Sequence, residues 1–341
     1  MSLPLKSQLN VVAIGNAIVD IVAFADNSFL DSHKLSKSAM QLCSRKEQDA
    51  LLSEVIVQSY ASGGSAANTM TTLAGLGLRS GFIGTVADDE WGKTFNSSLE
   101  DARVVSYVEK IVSKDISSGT CVVLVTPDSE RTMNTHLGAA AHITKDALDL
   151  EVIRATPYLY IEGYAYDRDN EKATVLHAMN ISRSAKNSVA LSLSDAACVE
   201  RHHQDFCQLV KKVDILFANE AEICALFGVN EQVVTEQLLR ANKEVCAPLT
   251  VVTQSERGCL IMNNSTFVSL PARAPDTLVD LTGAGDQFAA GFLFGLINNY
   301  SLEHAGKCGI VLATEVISRL GPRITRPKLE AFSQLFAEEA V

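Results

Sequence analysis

From Tyr158 onward the chain alternates short, mostly apolar runs with longer mixed segments. The apolar runs Tyr158–Ile161, Val189–Leu193, Ile215–Ala218, Leu249–Val252 and Gly258–Met262 read as strands. The stretches between them, Glu171–Ser184, Val199–Val213, Glu220–Phe227 and Glu231–Lys243, read as helices. Short apolar strands separated by helices predict a mostly parallel sheet covered by helices on both faces. Two earlier elements join this scheme. Asn10–Ile14 is a short apolar strand ending in Gly15-Asn16. Ser65–Leu76 reads as a helix capped by Ser65 and ended by Gly77, with alanines at 66, 67 and 74 that suit close packing. Ligands of such sheets bind at the carboxyl ends of the strands, where this reading puts Asn16, Ser194-Asp195, Asn219 and Thr253.

Two segments break the alternation, Ile18 to Ser62 and Arg103 to Leu137. In the second, Cys121–Thr126 and Thr132–Leu137 flank Pro127-Asp128-Ser129-Glu130, a turn signal between β-prone runs that predicts a hairpin. The two segments together could form a small sheet over the site, or they are an ordinary β excursion. The whole chain, residues 1–341, is therefore read as one doubly wound α/β domain with a discontinuous β lid from about 18–62 and 103–137. No repeat of 20–50 residues interrupts it.

The densest chemistry lies at Asp280-Leu281-Thr282-Gly283-Ala284-Gly285-Asp286, followed by an apolar run to Leu296 that reads as a buried helix. Glycines before a helix start let backbone N–H groups surround an anion, and the helix N-terminus adds partial positive charge. Asp286, in the first turn, is expected to stay ionised because the dipole favours its charged form. An anion cradle beside an ionised base is what phosphoryl transfer to a hydroxyl needs, although a tight turn with an acidic first turn is also a common structural device. A dinucleotide fingerprint fails, because Phe288 stands where the third glycine belongs and the run lies near the C-terminus. A P-loop fails as well: Gly92-Lys93-Thr94 has Ala87 where the leading glycine should be.

Composition narrows the partners. The net charge of −11 argues against nucleic acid or an anionic membrane, though not against a single nucleotide. No 18-residue apolar run occurs, and Met-Ser-Leu-Pro-Leu-Lys-Ser-Gln-Leu-Asn at the start lacks a signal-peptide core. Eight scattered cysteines without a CxxC pair read as reduced thiols, and the seven histidines show no zinc spacing. A cytoplasmic protein, monomer or homodimer, is expected.

Three further constellations stand in order. Gly15-Asn16-Ala17-Ile18-Val19-Asp20 places an amide and a carboxylate after the first strand. These are tools for gripping sugar hydroxyls or simply an Asx turn, and Asp20 should accept hydrogen bonds in its apolar setting. Gly63-Gly64-Ser65-Ala66-Ala67-Asn68 opens the first long helix, either for close ligand approach or as a plain helix entry. Asn219-Glu220-Ala221-Glu222 fits a water-mediated magnesium site and equally fits a capping box.

With Gly84-Thr85-Val86-Ala87-Asp88-Asp89-Glu90-Trp91-Gly92, Glu130-Arg131-Thr132 and Gly283-Ala284-Gly285-Asp286, six motifs occur in order along nearly the whole length. The chain thereby resembles the ribokinase (PfkB-type) family of sugar and nucleoside kinases, nearest its adenosine kinase-like branch. The resemblance implies a ribokinase-like fold with a β lid and an ATP- and Mg2+-dependent phosphotransferase acting on a primary hydroxyl. It implies Asp286 as general base and the amides of Gly283, Ala284 and Gly285 as anion hole, with Arg131 reaching the phosphates. Asn16, Asp20, Gly64, Ser65 and Asn68 would contact the acceptor. Asn219, Thr253, Ser255 and Gly258 would contact the nucleotide, Glu222 would order Mg2+ through water, and Asp280 and Thr282 would begin a K+ loop. Two positions depart from the family pattern. Ser255 replaces a glycine near the nucleotide base, and Ser65 stands where ribokinases carry lysine. Met40 and Leu42 could flank a base, which favours a nucleoside such as adenosine over a free sugar. A non-catalytic sugar- or nucleoside-binding protein on the same fold is the alternative.

Overall fold

The computed structural model describes residues 8–37, 39–128, 130–166 and 168–339. Its strands, in chain order, are β1 (Val11–Ile14), β2 (Ile18–Phe24), β3 (Met40–Leu42), β4 (Val57–Ser62), β5 (Ser80–Ala87), β6 (Val105–Ile111), β7 (Gly119–Val125), β8 (Arg131–His136), β9 (Tyr158–Glu162), β10 (Ser188–Ser192), β11 (Ile215–Asn219), β12 (Leu249–Thr253), β13 (Cys259–Asn263) and β14 (Thr266–Leu270). Nine of them form one sheet in the order β14-β13-β12-β11-β10-β9-β1-β5-β6. The strands from β12 to β6 run parallel, and β13 and β14 close one edge as antiparallel hairpins.

Alternate residues of the central strands feed two separate cores. Val12, Ile14, Leu159, Ile161, Val189 and Leu191 pack on one face. Val11, Ala13, Phe82, Tyr160, Ala190 and Phe217 pack on the other, against the helices Ser65–Gly75 and Ala284–Ile297. Burial on both faces explains why these strands show no polar alternation. The order reverses at β1: the chain runs outward through β5 and β6 on one side and through β9 to β12 on the other. The crevice at such a reversal, beyond the strand ends, is where a doubly wound sheet takes its ligand.

The other five strands form a second sheet in the order β3-β8-β7-β2-β4. The predicted hairpin is present as β7 and β8, antiparallel from Thr120 opposite His136 to Val125 opposite Arg131. Ser129 of its turn lies outside the described residues, as do the first seven residues of the N-terminal segment. The strand β6 departs from the expected grouping, since it pairs with β5 in the large sheet.

Several boundaries also move. The helix expected over Val199–Val213 is two helices, Ala196–Arg201 and His203–Val210, interrupted at His202. The one expected over Glu231–Lys243 shrinks to Glu236–Ala241, because Thr235 caps it through the Leu238 N–H at 3.2 Å. All eight cysteines are free. Among the described residues no helix is long and apolar enough to cross a membrane.

Candidate active site

The switch point between β1 and β9 is closed by a buried carboxylate that sequence reasoning did not single out. Glu162, the last residue of β9, accepts the Asn16 N–H at 2.6 Å and the Ala66 N–H at 2.7 Å. It thus joins the end of β1 to the start of the Ser65–Gly75 helix. Burial raises its pKa to about 7, despite those two amides. Glu162 has no motif spacing in the chain; its one signal was a charged residue ending an apolar strand.

Asn16, Asp20, Gly64, Ser65, Asn68, Thr282, Gly283 and Asp286 all line a single cavity of about 290 Å3. This volume is near the lower end for small-molecule sites. The large-sheet side supplies the polar wall. The second sheet and the residue after it supply Ile18, Met40, Leu42, Met133 and Leu137. The cavity therefore has one polar and one apolar wall, drawn from segments far apart in sequence.

Asp286 sits in the first turn of the helix Ala284–Ile297, whose cap is Gly283 in the left-handed region at φ 80°. Its carboxylate accepts Ser65 Oγ at 2.7 Å and Asn68 Nδ2 at 2.9 Å. This overturns the expected capping role of Ser65. Gly64, at φ 85°, is the cap of the earlier helix, and the freed Ser65 hydroxyl turns to Asp286 instead. The helix dipole also loses to desolvation. Burial raises the Asp286 pKa to about 6, with the Asn68 and Ser65 hydrogen bonds and the Arg323 charge pulling the other way. Asp286 is ionised at neutral pH, but by a narrow margin.

The amides of Gly283 and Gly285 donate to no carbonyl among the described residues, whereas that of Ala284 makes a 3.3 Å turn bond to Leu281 O. A methyl group at Gly285 would meet nothing within 4 Å. Bare backbone there faces open space, as unpaired donors in a first helical turn require if they are to hold an anion.

Asp20 differs from expectation, because its carboxylate finds no hydrogen-bond donor among the described residues. Burial raises its pKa to about 7, opposed by the charges of Arg323 and Arg131. The Asn16 side-chain Nδ2 is likewise buried and unpaired. A free acceptor and a free donor thus line the same cavity, a pairing suited to vicinal hydroxyls.

Asn219 and Glu222 do form a capping box. Asn219 Oδ1 accepts the Glu222 N–H at 2.8 Å, and the Glu222 carboxylate accepts the Asn219 N–H at 3.0 Å. Asn219 lies level with Thr253 at the adjacent ends of β11 and β12. Ser255 adopts a left-handed φ of 50°, a conformation that suits glycine better. Gly258 closes the same turn at φ 99°. These five residues lie outside the lining of the cavity.

Arg131 and Asp280, assigned to different tasks by resemblance, meet as a buried ion pair between β8 and the loop before the Asp286 helix. The Asp280 carboxylate also accepts the N–H groups of Thr282 at 2.9 Å and Gly321 at 2.6 Å.

A nine-stranded α/β sheet with a cavity at its switch point, roofed by a small second sheet, is the architecture that sugar and adenosine kinase structures share with this chain. The chain belongs to the pfkB family of carbohydrate kinases, whose family model matches residues 8–329. An adenosine kinase structure from Sinorhizobium meliloti superposes with a TM-score of 0.90 at 34% identity, covering 98% of this chain and 100% of that one. A probable sugar kinase structure from Rhizobium etli gives 0.90 at 32%, covering 97% and 99%. The adenosine kinase of Dictyostelium discoideum is 25% identical over 346 residues, 95% of this chain and 99% of that protein.

Proposed function

We propose that the protein transfers the γ-phosphoryl group of ATP to a primary hydroxyl of a ribose-containing small molecule, with a nucleoside such as adenosine as the acceptor. The observation that carries this reading is Asp286, a half-buried carboxylate held by Ser65 and Asn68 at a glycine-led helix N-terminus, on the wall of a cavity. The acceptor hydroxyl oxygen attacks the γ-phosphorus and the bond to the β-phosphate bridging oxygen breaks, releasing ADP. The hydroxyl proton passes to Asp286. The unpaired amides of Gly283 and Gly285 face the charge on the transferred group, which makes catalysis a matter of positioning and charge. Asn16 and Asp20 grip the ribose hydroxyls. The apolar side chains of Met40, Leu42 and Met133 offer a face for a base, which favours a nucleoside over a free sugar, as does the likeness to the Sinorhizobium enzyme. The second sheet acts as a lid that excludes water.

The donor-side residues suit a divalent cation. Glu222 is buried with its pKa raised to about 7, first by desolvation and then by the charges of Asp195 and Asp286. Among the described residues no three ligating side chains converge, so one carboxylate and the phosphates would share the ion, as is usual for Mg2+. Bound there, Mg2+ neutralises phosphate charge. Asp280 does not fit a monovalent cation. A carboxylate offers about four lone-pair sites, and Arg131, Thr282 and Gly321 already engage both of its oxygens.

A thermal-shift panel of nucleosides and free sugars, with and without a non-hydrolysable ATP analogue, tests the acceptor. A true acceptor at about 100 times its Kd adds roughly 2.7 kcal/mol of stability. Stabilisation by free sugars alone would overturn the nucleoside assignment, and no response to either class would overturn the acceptor site itself.

A further inference from the structure

Arg323 belongs to none of the motifs, lying on the loop that follows the helix Leu302–Ile317. Its side chain nevertheless reaches three separate segments. Nε donates to Asn68 Oδ1 at 2.9 Å and Nη1 to Ser98 Oγ at 2.7 Å. Nη2 lies 3.4 Å from Ser62 Oγ and 3.5 Å from the Gly63 carbonyl. Those partners belong to the Asp286-facing helix, the helix Glu90–Asp101 and the end of β4 in the second sheet.

We infer that Arg323 is the positioning residue of this site, setting the Asn68 amide so that Asp286 is held in its working orientation. The reason is chemical. A guanidinium has no acceptor, so the Asn68 amide must turn its oxygen to Arg323. Its NH2 group is then left for Asp286 Oδ2, at 2.9 Å. A reversed amide would set two donors against each other on one side and two acceptors on the other. The same guanidinium feels two half-buried carboxylates, Asp20 and Asp286, and desolvation brings its own pKa down to about 10. It is the one cation that acts on Asp286 among the described residues. The other titratable groups that feel Asp286 are Asp20, Glu162, Glu222, Tyr160 and Tyr164, and each of them is acidic.

This inference rests on Asp286 being the base, so the test carries its own control. The pH profile of kcat/KM, the kcat and the melting temperature are measured for R323Q, R323K, S98A and D286N. In R323Q the acid limb moves to higher pH, since the guanidinium charge is one of the effects that hold the Asp286 carboxyl down. R323K keeps the charge, hence the acid limb, but loses the fork that orients Asn68, so its kcat falls. S98A removes one anchor of the guanidinium and lowers kcat about two- to tenfold, the equivalent of one hydrogen bond, with little change in melting temperature. A folded R323Q with the wild-type acid limb and kcat would overturn the inference. If R323Q does not fold, wild-type kcat in both R323K and S98A overturns it. D286N separates the two readings: full turnover there removes the base assignment, whereas lost turnover beside an unaffected R323Q removes only the role of Arg323.

Discussion

Gly283 and Gly285 stand two residues apart in one turn, yet alanine at each should fail for opposite reasons. At Gly283 the backbone is left-handed, φ 80°, and a methyl group would lie 2.6 Å from the Pro322 carbonyl oxygen and 2.7 Å from its Cα. The left-handed conformation costs an alanine about 1–2 kcal/mol, and overlap with backbone that cannot rotate away adds about 1–3 kcal/mol. Gly283→Ala should therefore lose roughly 2–5 kcal/mol in denaturant unfolding. Gly285 already has helical geometry, and a methyl group there meets nothing within 4 Å. Gly285→Ala should keep or slightly raise stability, by up to about 1 kcal/mol. Its methyl group would instead crowd the space faced by the unpaired amides. Gly285→Ala keeps its N–H, so the expected fall in kcat comes from the methyl group hindering the anion and stays below the roughly 10²–10³-fold that loss of a whole donor costs in other enzymes. The assay pairs an unfolding curve with single-turnover phosphoryl transfer for each variant. A stable Gly285→Ala protein with kcat within threefold of wild type would refute the anion-hole assignment.

Further outcomes follow from the same geometry. Activity, limited by ionised Asp286, should be present above pH about 6 and fall as the pH drops through that value, read as the acid limb of kcat/KM. Ligand-free stability should run the other way. Glu162, Glu222, Asp20 and Asp286 all have folded pKa values raised to between about 6 and 7, so the folded state holds extra protons. Their contribution is complete below the unfolded carboxylate range near pH 4 and is lost as the pH rises through 6 to 7. Urea titrations at pH 5 and pH 8 check this, with the higher midpoint expected at pH 5. Asp280→Ala should cost about 3–5 kcal/mol, because it strands the largely buried Arg131 without its partner; a thermal melt unchanged from wild type would contradict that pairing.

Much of the fold was legible because two-sided burial leaves a plain trace. Runs such as Ile215–Ala218 must be apolar throughout, and the glycines before Asp286 announce a helix entry. Motif spacing was informative where it follows one turn of backbone, as in Gly64 and Asn68, which line the cavity, and in Asn219 and Glu222, which form a capping box. What escaped is set by distance in sequence. Glu162 meets Asn16 across 146 positions, and Arg323 meets Asn68 across 255. No local pattern encodes such contacts. Ser65 was misread for a related reason: a serine before an alanine run looks like a cap until Asp286, 221 residues away, claims its hydroxyl. The place of β6 in the large sheet likewise depends on pairing with β5, which hydrophobic pattern alone leaves undecided.

Proton transfer to Asp286 is tested most directly by Asp286→Asn, with acceptor affinity and phosphoryl transfer measured on the same preparation. The amide keeps the shape and a contact to Ser65, so acceptor binding and melting temperature should stay near wild type. Turnover should drop by about 10²–10⁴, the usual contribution of a general base. Turnover at the wild-type rate in a folded, acceptor-binding Asp286→Asn protein would contradict the proposed mechanism.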